Sequence, residues 1–267
     1  MKKVISFSSG KGGVGKTSLV ANMGVLWARE GKKVLLVDGD WSLGKMALTL
    51  GVKPKWAVND VLEGKTTMRE AVQGVSEHLS LLASPSGVTG FEELSEEHRN
   101  QLFYELDSLQ EDYDLILMDH SSGLHWGVIQ FAAAAHQHVI VTTAEPTSYM
   151  DAYAIMKILS QRFRVRNFQL IVTMSQNLSE TQKIIERFVD ITQSHLEVKV
   201  TEVGHFLFEP KLALSLRQQK PFVSLYPEMG FVRDLSKVCK TLETTQNGTG
   251  SGLRFYFSEN INPLAAR

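Results

Sequence analysis

The 267-residue chain carries 28 basic and 29 acidic residues, for a formal net charge of −1, and 43% of it is apolar. That length and apolar content suit one large α/β domain, and the charge balance gives no global reason for nucleic-acid binding. One cysteine, Cys239, excludes a disulfide framework and any zinc or iron–sulfur site built on paired cysteines, and it suits a reducing cytoplasm. No run approaches the roughly 18 consecutive apolar residues of a membrane span. The opening Met1-Lys2-Lys3-Val4-Ile5-Ser6-Phe7 is broken at Ser8-Ser9-Gly10, too early for a signal core.

In chain order, short β-branched runs alternate with helical periodicity. Strands are predicted at Val4–Phe7, Lys33–Val37, Leu79–Ala83, Asp114–Met118, His138–Thr142, Phe168–Thr173 and Val198–Phe206. Helices are predicted near 16–30, 93–110, 126–135, 148–162, 178–195, 210–218 and 229–244. Such alternation implies right-handed crossovers and an α/β fold. We expect a doubly wound, mostly parallel sheet with helices on both faces, a Rossmann-like three-layer sandwich. The unbroken apolar run Leu115-Ile116-Leu117-Met118 is what a strand buried on both faces looks like. The composition shifts after about residue 245. Residues 1–244 are expected to form the folded domain, and 245–267 a glycine-rich linker followed by the aromatic tail Leu253-Arg254-Phe255-Tyr256-Phe257.

The first strand runs into Gly10-Lys11-Gly12-Gly13-Val14-Gly15-Lys16-Thr17 and then a helix, matching G-x-x-x-x-G-K-[ST] in its strand–loop–helix setting. Glycines let successive backbone N–H groups converge on phosphate oxygens, and the helix start adds its positive dipole end. Gly10 to Ser18 therefore form the expected cradle for MgATP or MgADP. Lys16 is expected to reach the β- and γ-phosphates, Thr17 to ligate Mg²⁺, and Ser18 to bond the α-phosphate. The second strand ends in Val37-Asp38-Gly39-Asp40, at the sheet edge where such folds bind ligands. By strand alternation Asp38 and Asp40 are expected to share a face toward the phosphates. The strand ending at Met118 delivers Asp119, whose carboxylate would serve Mg²⁺ through water. Gly123 suits a loop whose N–H meets the γ-phosphate. His120 reads as a solvated residue of that loop, not a base. His136 and His138 read as surface histidines, there being no third metal ligand nearby in sequence.

Ser9-Gly10-Lys11-Gly12-Gly13-Val14-Gly15-Lys16-Thr17, with a second lysine early in the loop, resembles the deviant Walker A loop of the MinD/ParA family of dimerising ATPases. The resemblance implies that Lys11 crosses an ATP-dependent homodimer interface to touch the partner's nucleotide. It also implies that Asp40 positions the hydrolytic water, with Asp38 as its supporting partner and a metal-site residue, in a slow ATP hydrolase. Ala144-Glu145-Pro146-Thr147-Ser148-Tyr149-Met150-Asp151-Ala152-Tyr153 is similar to the P-E-P-T-S-x-x-D-A-Y stretch of the flagellar-number regulators FlhG, FleN and YlxH. Asp40-Trp41-Ser42-Leu43-Gly44-Lys45, Val58–Gly64, Ala83–Gly87, Arg217–Phe222 and Leu225-Tyr226-Pro227 follow the same branch.

For such a regulator of flagellar number or placement, the resemblance implies an FlhF-like GTPase, a flagellar switch or basal-body protein, or a transcription regulator as partner. It implies a location in the cytoplasm, at the inner face of the cell membrane, or at a pole. The chain departs from the branch at several points. It starts at the first strand, without the extra segment that engages FlhF. Thr173 stands where an asparagine usually reads adenine, so weaker base selectivity is expected. His120 replaces a small residue, and Trp41 and Lys45 replace a leucine and an asparagine, altering the expected dimer contact. For the tail, peripheral membrane contact stays open beside docking on the body. Paired cysteines of iron–sulfur relatives and the tyrosine cluster of bacterial tyrosine kinases are absent. Arg162-Phe163-Arg164-Val165-Arg166 reads as a helix-end charge run, so ParA-type DNA partitioning is the secondary reading, beside a nucleotide-sensing module with little turnover.

Overall fold

The computed structural model describes residues 3–40, 44–84 and 94–245. Its elements begin with β1 (Lys3–Ser8), α1 (Lys16–Arg29), β2 (Val34–Gly39), α2 (Lys45–Leu50), α3 (Val58–Leu62), α4 (Met68–Ala71), β3 (Val72–Ser76) and β4 (Leu79–Leu82). There follow α5 (Glu96–Leu109), β5 (Leu115–His120), α6 (Trp126–Ala133), β6 (Gln137–Thr143), α7 (Pro146–Phe163), β7 (Asn167–Ser175) and α8 (Leu178–Leu196). The described chain closes with β8 (Lys199–Leu207), α9 (Pro210–Arg217), α10 (Phe222–Leu225) and α11 (Gly230–Thr244).

The eight strands form one sheet in the order β3-β4-β2-β5-β1-β6-β7-β8. Every neighbouring pair is parallel except β3–β4, which is antiparallel. The expected doubly wound α/β architecture is therefore present, with an antiparallel edge strand added. β3 gives no strand signal in the sequence because Val72-Gln73-Gly74-Val75-Ser76 is short, half-exposed and carries a mid-strand glycine.

The central strands are buried on both faces, and alternate residues feed different cores. Ile5, Leu36, Leu117 and Val141 pack with α1 and α11 residues such as Met23, Trp27 and Leu235. Leu35, Ile116 and Met118 pack with Leu102, Phe103 and Leu106 of α5. Ile140 and Leu170 pack with Ile155, Leu159 and Phe188 of α7 and α8. Each strand contributes to a layer on either side, which gives the three-layer sandwich its rigidity.

Buried Lys3 ties the end of α11 to this sheet. Its ammonium donates to the carbonyls of Leu242 (3.2 Å), Glu243 (2.5 Å) and Thr245 (3.0 Å), and Gln137 adds bonds to Leu242 and Thr245. A cation among terminal carbonyls satisfies acceptors that the helix itself leaves open. The aromatic tail lies outside the described residues. Among those described, no helix is long and apolar enough to cross a membrane.

Candidate functional site

β1 enters the glycine loop at the centre of the sheet, and the loops after β2, β5, β6 and β7 leave the same carboxyl edge. Gly13 and Gly15 both take φ 81°, a left-handed conformation that a side chain would strain. Gly10 is needed for a different reason. A Cβ there would lie 2.2 Å from Cβ of Asp151, so the loop can touch α7 only through a bare backbone. Gly15 caps α1 without any side-chain acceptor, and no acidic residue stands in the helix's first turn. The first N–H donors of α1 are thus left to the cleft, where an anion satisfies them.

That cleft has a volume of about 410 Å³ and is lined by the loop from Gly12 to Ser18 together with Asp40, Lys45 and Ser122. An apolar recess of about 170 Å³ adjoins it through Val14, Ser18, Met174 and Leu216, and extends to Thr173, Phe206 and Phe231. A polar cradle continuous with an apolar recess has the shape a nucleotide needs. Thr173 lines the recess, but its hydroxyl donates to the Val14 carbonyl (2.7 Å), with Thr142 O at 3.2 Å. It buttresses the loop, and only its lone pairs face what enters the recess.

Lys16 is buried and its ammonium reaches Asp119 Oδ1 (2.5 Å) and the His120 carbonyl. Asp119 is fully buried, and its second oxygen, Oδ2, has no hydrogen-bond partner among the described residues. An orphaned carboxylate oxygen in such a place is costly unless a cation or water completes it. The residues therefore fit a metal-bearing phosphate ligand, with Thr17 and Asp119 as the donors that would hold the ion through oxygen. Gly123, at φ 107°, donates its N–H to Ser9 O (3.1 Å), linking the loop after β5 to the glycine loop.

The two aspartates after β2 do not share a face. β2 ends at Gly39, so strand alternation stops between them. Asp40 lines the phosphate cleft, whereas buried Asp38 accepts N–H groups from Asp40 (3.1 Å) and Met46 (3.2 Å) and lines a separate, mainly apolar cavity with His120 and Phe131. Asp38 thereby anchors the first turn of α2, and both its oxygens are engaged by backbone. Burial, and Asp119 opposite it in the β2–β5 register, push its carboxyl up to about 7.

His120 is not solvated. It ends β5 fully inside, with Nε2 2.9 Å from Ser6 Oγ, and burial beside Lys16 lowers its pKa to about 3. Met118-Asp119-His120 continues the strand pattern by two residues beyond the predicted end, which puts His120 in the sheet rather than the loop. His138 is likewise buried rather than a surface residue, and His136 is half-buried. Burial lowers both, His138 to about 4, and His136 Nδ1 accepts the Val4 N–H (3.0 Å). Among the described residues no group of three or more potential metal ligands surrounds them.

Lys11 stands exposed at the loop's tip and pairs with Glu145, the residue before α7. Lys45, at the start of α2, pairs with Asp40 (3.0 Å). The Lys11–Glu145 contact is not visible in the sequence, since it joins loops that the fold alone brings together.

A glycine loop between strand and helix, a buried lysine–aspartate pair and a second aspartate lining the same cleft, on a doubly wound sheet, define a P-loop nucleotide-binding protein. A family model described as an AAA domain, AAA_31, matches residues 2–196. The chain belongs to that family, within the MinD/ParA ATPases and near the flagellar-number regulators, and it is an ATP hydrolase. It is 27% identical over 225 residues to the antiactivator FleN of Pseudomonas aeruginosa, covering 84% of this chain and 80% of that one. It is 26% identical over 269 residues to the flagellum site-determining protein YlxH of Helicobacter pylori, covering 98% and 90%. Among solved structures, the MinD cell division protein of Aquifex aeolicus superposes with a TM-score of 0.72 at 27% identity, covering 91% of this chain and 98% of that chain.

Proposed function

We propose that the chain is a nucleotide-switched dimer that controls flagellar number or placement, binding MgATP in the glycine-loop cleft and hydrolysing it slowly. The observation that carries this reading is Lys11. It stands 44% exposed at the tip of a loop whose other lysine, Lys16, is buried, and its pair with exposed Glu145 is of the weakly held kind that a second chain's phosphate can displace. On segments leaving the same sheet edge stand the exposed apolar side chains Leu48, Leu124 and Met150. Exposed apolar side chains at the edge that carries the glycine loop suit an interface better than a solvated rim.

In this reading Asp40 holds and orients the water that attacks the terminal phosphorus. The first-turn N–H groups of α1 and Lys16 stabilise the charge, and Thr17 with Asp119 carries the magnesium. The flagellar assignment rests on the likeness to FleN and YlxH. A partitioning role on DNA is less favoured by the one compact basic run. Arg162 lies over the Trp126 ring, 5.3 Å from its centroid, and Arg166 donates to the Leu196 carbonyl, so part of that charge is already engaged.

Size-exclusion chromatography with light scattering tests the switch. Asp40→Ala is expected to bind ATP and accumulate as a dimer, while the wild type with ADP elutes as a monomer. A monomeric Asp40→Ala protein saturated with ATP would sink the dimer model.

A further inference from the structure

Lys45 is the second lysine that lines the phosphate cleft. Gly44 before it takes φ 53°, ψ 41° and starts α2 without a side-chain cap. The following N–H, of Met46, is fixed on Asp38 Oδ2. The backbone under Lys45 is thus anchored to the end of β2, while its side chain is half exposed and ends on Asp40 Oδ2 at 3.0 Å. Lys45, Asp40, Lys16 and Thr17 line the same cleft. The two cleft lysines differ in depth: Lys16 is locked on Asp119 and the His120 carbonyl, and Lys45 sits at the mouth.

A half-exposed ion pair is weakly held, because water solvates both partners in its absence. Lysine carries a compact charge on a flexible stem and can move from one anion to another. A terminal phosphate, more highly charged than one carboxylate, competes for it effectively. On the nucleotide reading given above, we propose that Lys45 is a γ-phosphate ligand supplied in cis, parked on Asp40 until a triphosphate enters. With a diphosphate, the ammonium stays on Asp40 Oδ2. With a triphosphate it moves to the terminal phosphate, and Asp40 exchanges the lysine for the water it orients. Lys45 is then the residue by which this chain distinguishes triphosphate from diphosphate.

The test is calorimetric binding of Mg·AMPPNP and Mg·ADP to the full chain, each measured in a Lys11→Ala background so that a second chain contributes no lysine. Lys45→Met is expected to weaken AMPPNP by about tenfold or more while ADP changes by less than about twofold. Lys45→Arg should recover most of the AMPPNP affinity. Equal weakening of both nucleotides would mark Lys45 as a structural residue of α2 and overturn the proposal, as would an unchanged AMPPNP-to-ADP ratio. Failure of the parent protein to bind either nucleotide would instead overturn the nucleotide reading itself.

Discussion

Replacing Asp38 by asparagine should make the chain more sensitive to acid, although it removes a carboxylate that a folded protein usually prefers ionised. Asp38 titrates near 7 in the fold because burial and the charge of Asp119 disfavour its ionised form, against the opposing N–H bonds from Asp40 and Met46. A raised pKa gives stability that is fully present below the unfolded value and is lost as pH rises through the folded one. From pH 7 down to 5, Asp38 therefore adds about 2 kcal/mol, at roughly 1.4 kcal/mol per unit with half-titration at the upper end.

His120, lowered to about 3, and His138, lowered to about 4, run the other way. A depressed histidine gives stability that is present above about 6.5 and is lost as pH falls, because the unfolded chain takes the proton first. Between pH 7 and 5 each histidine removes about 2 kcal/mol. Asp38 thus offsets one of these losses, and Asp38→Asn should lose about 2 kcal/mol more than the wild type over that interval. Urea unfolding of the nucleotide-free protein at pH 7 and pH 5 reads this directly. The quantity to compare is each protein's own difference between the two pH values. A carboxamide offers one acceptor oxygen to the two N–H donors that Asp38 serves, so the variant starts from a lower stability. Equal losses in the two proteins would refute the reasoning.

Three further outcomes are expected. Gly10→Ala drives a methyl group against Cβ of Asp151 and should lower stability by about 1–3 kcal/mol in a thermal melt; an unchanged melt would mean that α7 retreats at no cost. Lys16→Ala should abolish nucleotide binding and, even without nucleotide, destabilise the fold by about 3–5 kcal/mol, because Asp119 is left as a buried charge with no cation. A variant as stable as the wild type would refute the structural role of the pair. Glu145→Ala should change stability by less than about 0.5 kcal/mol, both partners being exposed, yet raise the dimer fraction at limiting ATP by releasing Lys11 from its own chain. Chromatography with an unaltered dimer fraction would exclude that latch.

The sheet is legible in the sequence because its strands are buried on both faces and so read as unbroken apolar runs, with glycines or capping residues between them. Elements that break this rule are not. β3 is exposed, and α2, α3, α4 and α10 run for four to six residues, too short for a helical period to declare itself. Within the site, the glycine loop is legible because its conformations demand particular residues. The sequence misplaces Asp38 and His120 for one shared reason. A strand's end decides which way the next side chain points, and boundaries are the least readable feature of a sequence. β2 stops one residue earlier than the aspartate pair needs, and β5 runs two residues later than its apolar run suggests.

Those two misplacements expose how the site is wired. Asp119 stands opposite Asp38, and its only nearby bonded cation among the described residues is Lys16. An anion that draws Lys16 toward itself removes positive charge from Asp119 and deepens the negative potential at Asp38. Asp38 would then hold its proton more firmly, and a protonated carboxyl accepts the Met46 N–H less strongly than a carboxylate does. The first turn of α2 is fastened by that bond, and Lys45 rides on the first turn. On the nucleotide reading, phosphate at the glycine loop would be felt at the mouth of the cleft through two strand ends and one helix start. The buried, unpartnered oxygen of Asp119 is where this coupling is set, because a cation bound there would restore the charge that Lys16 takes away.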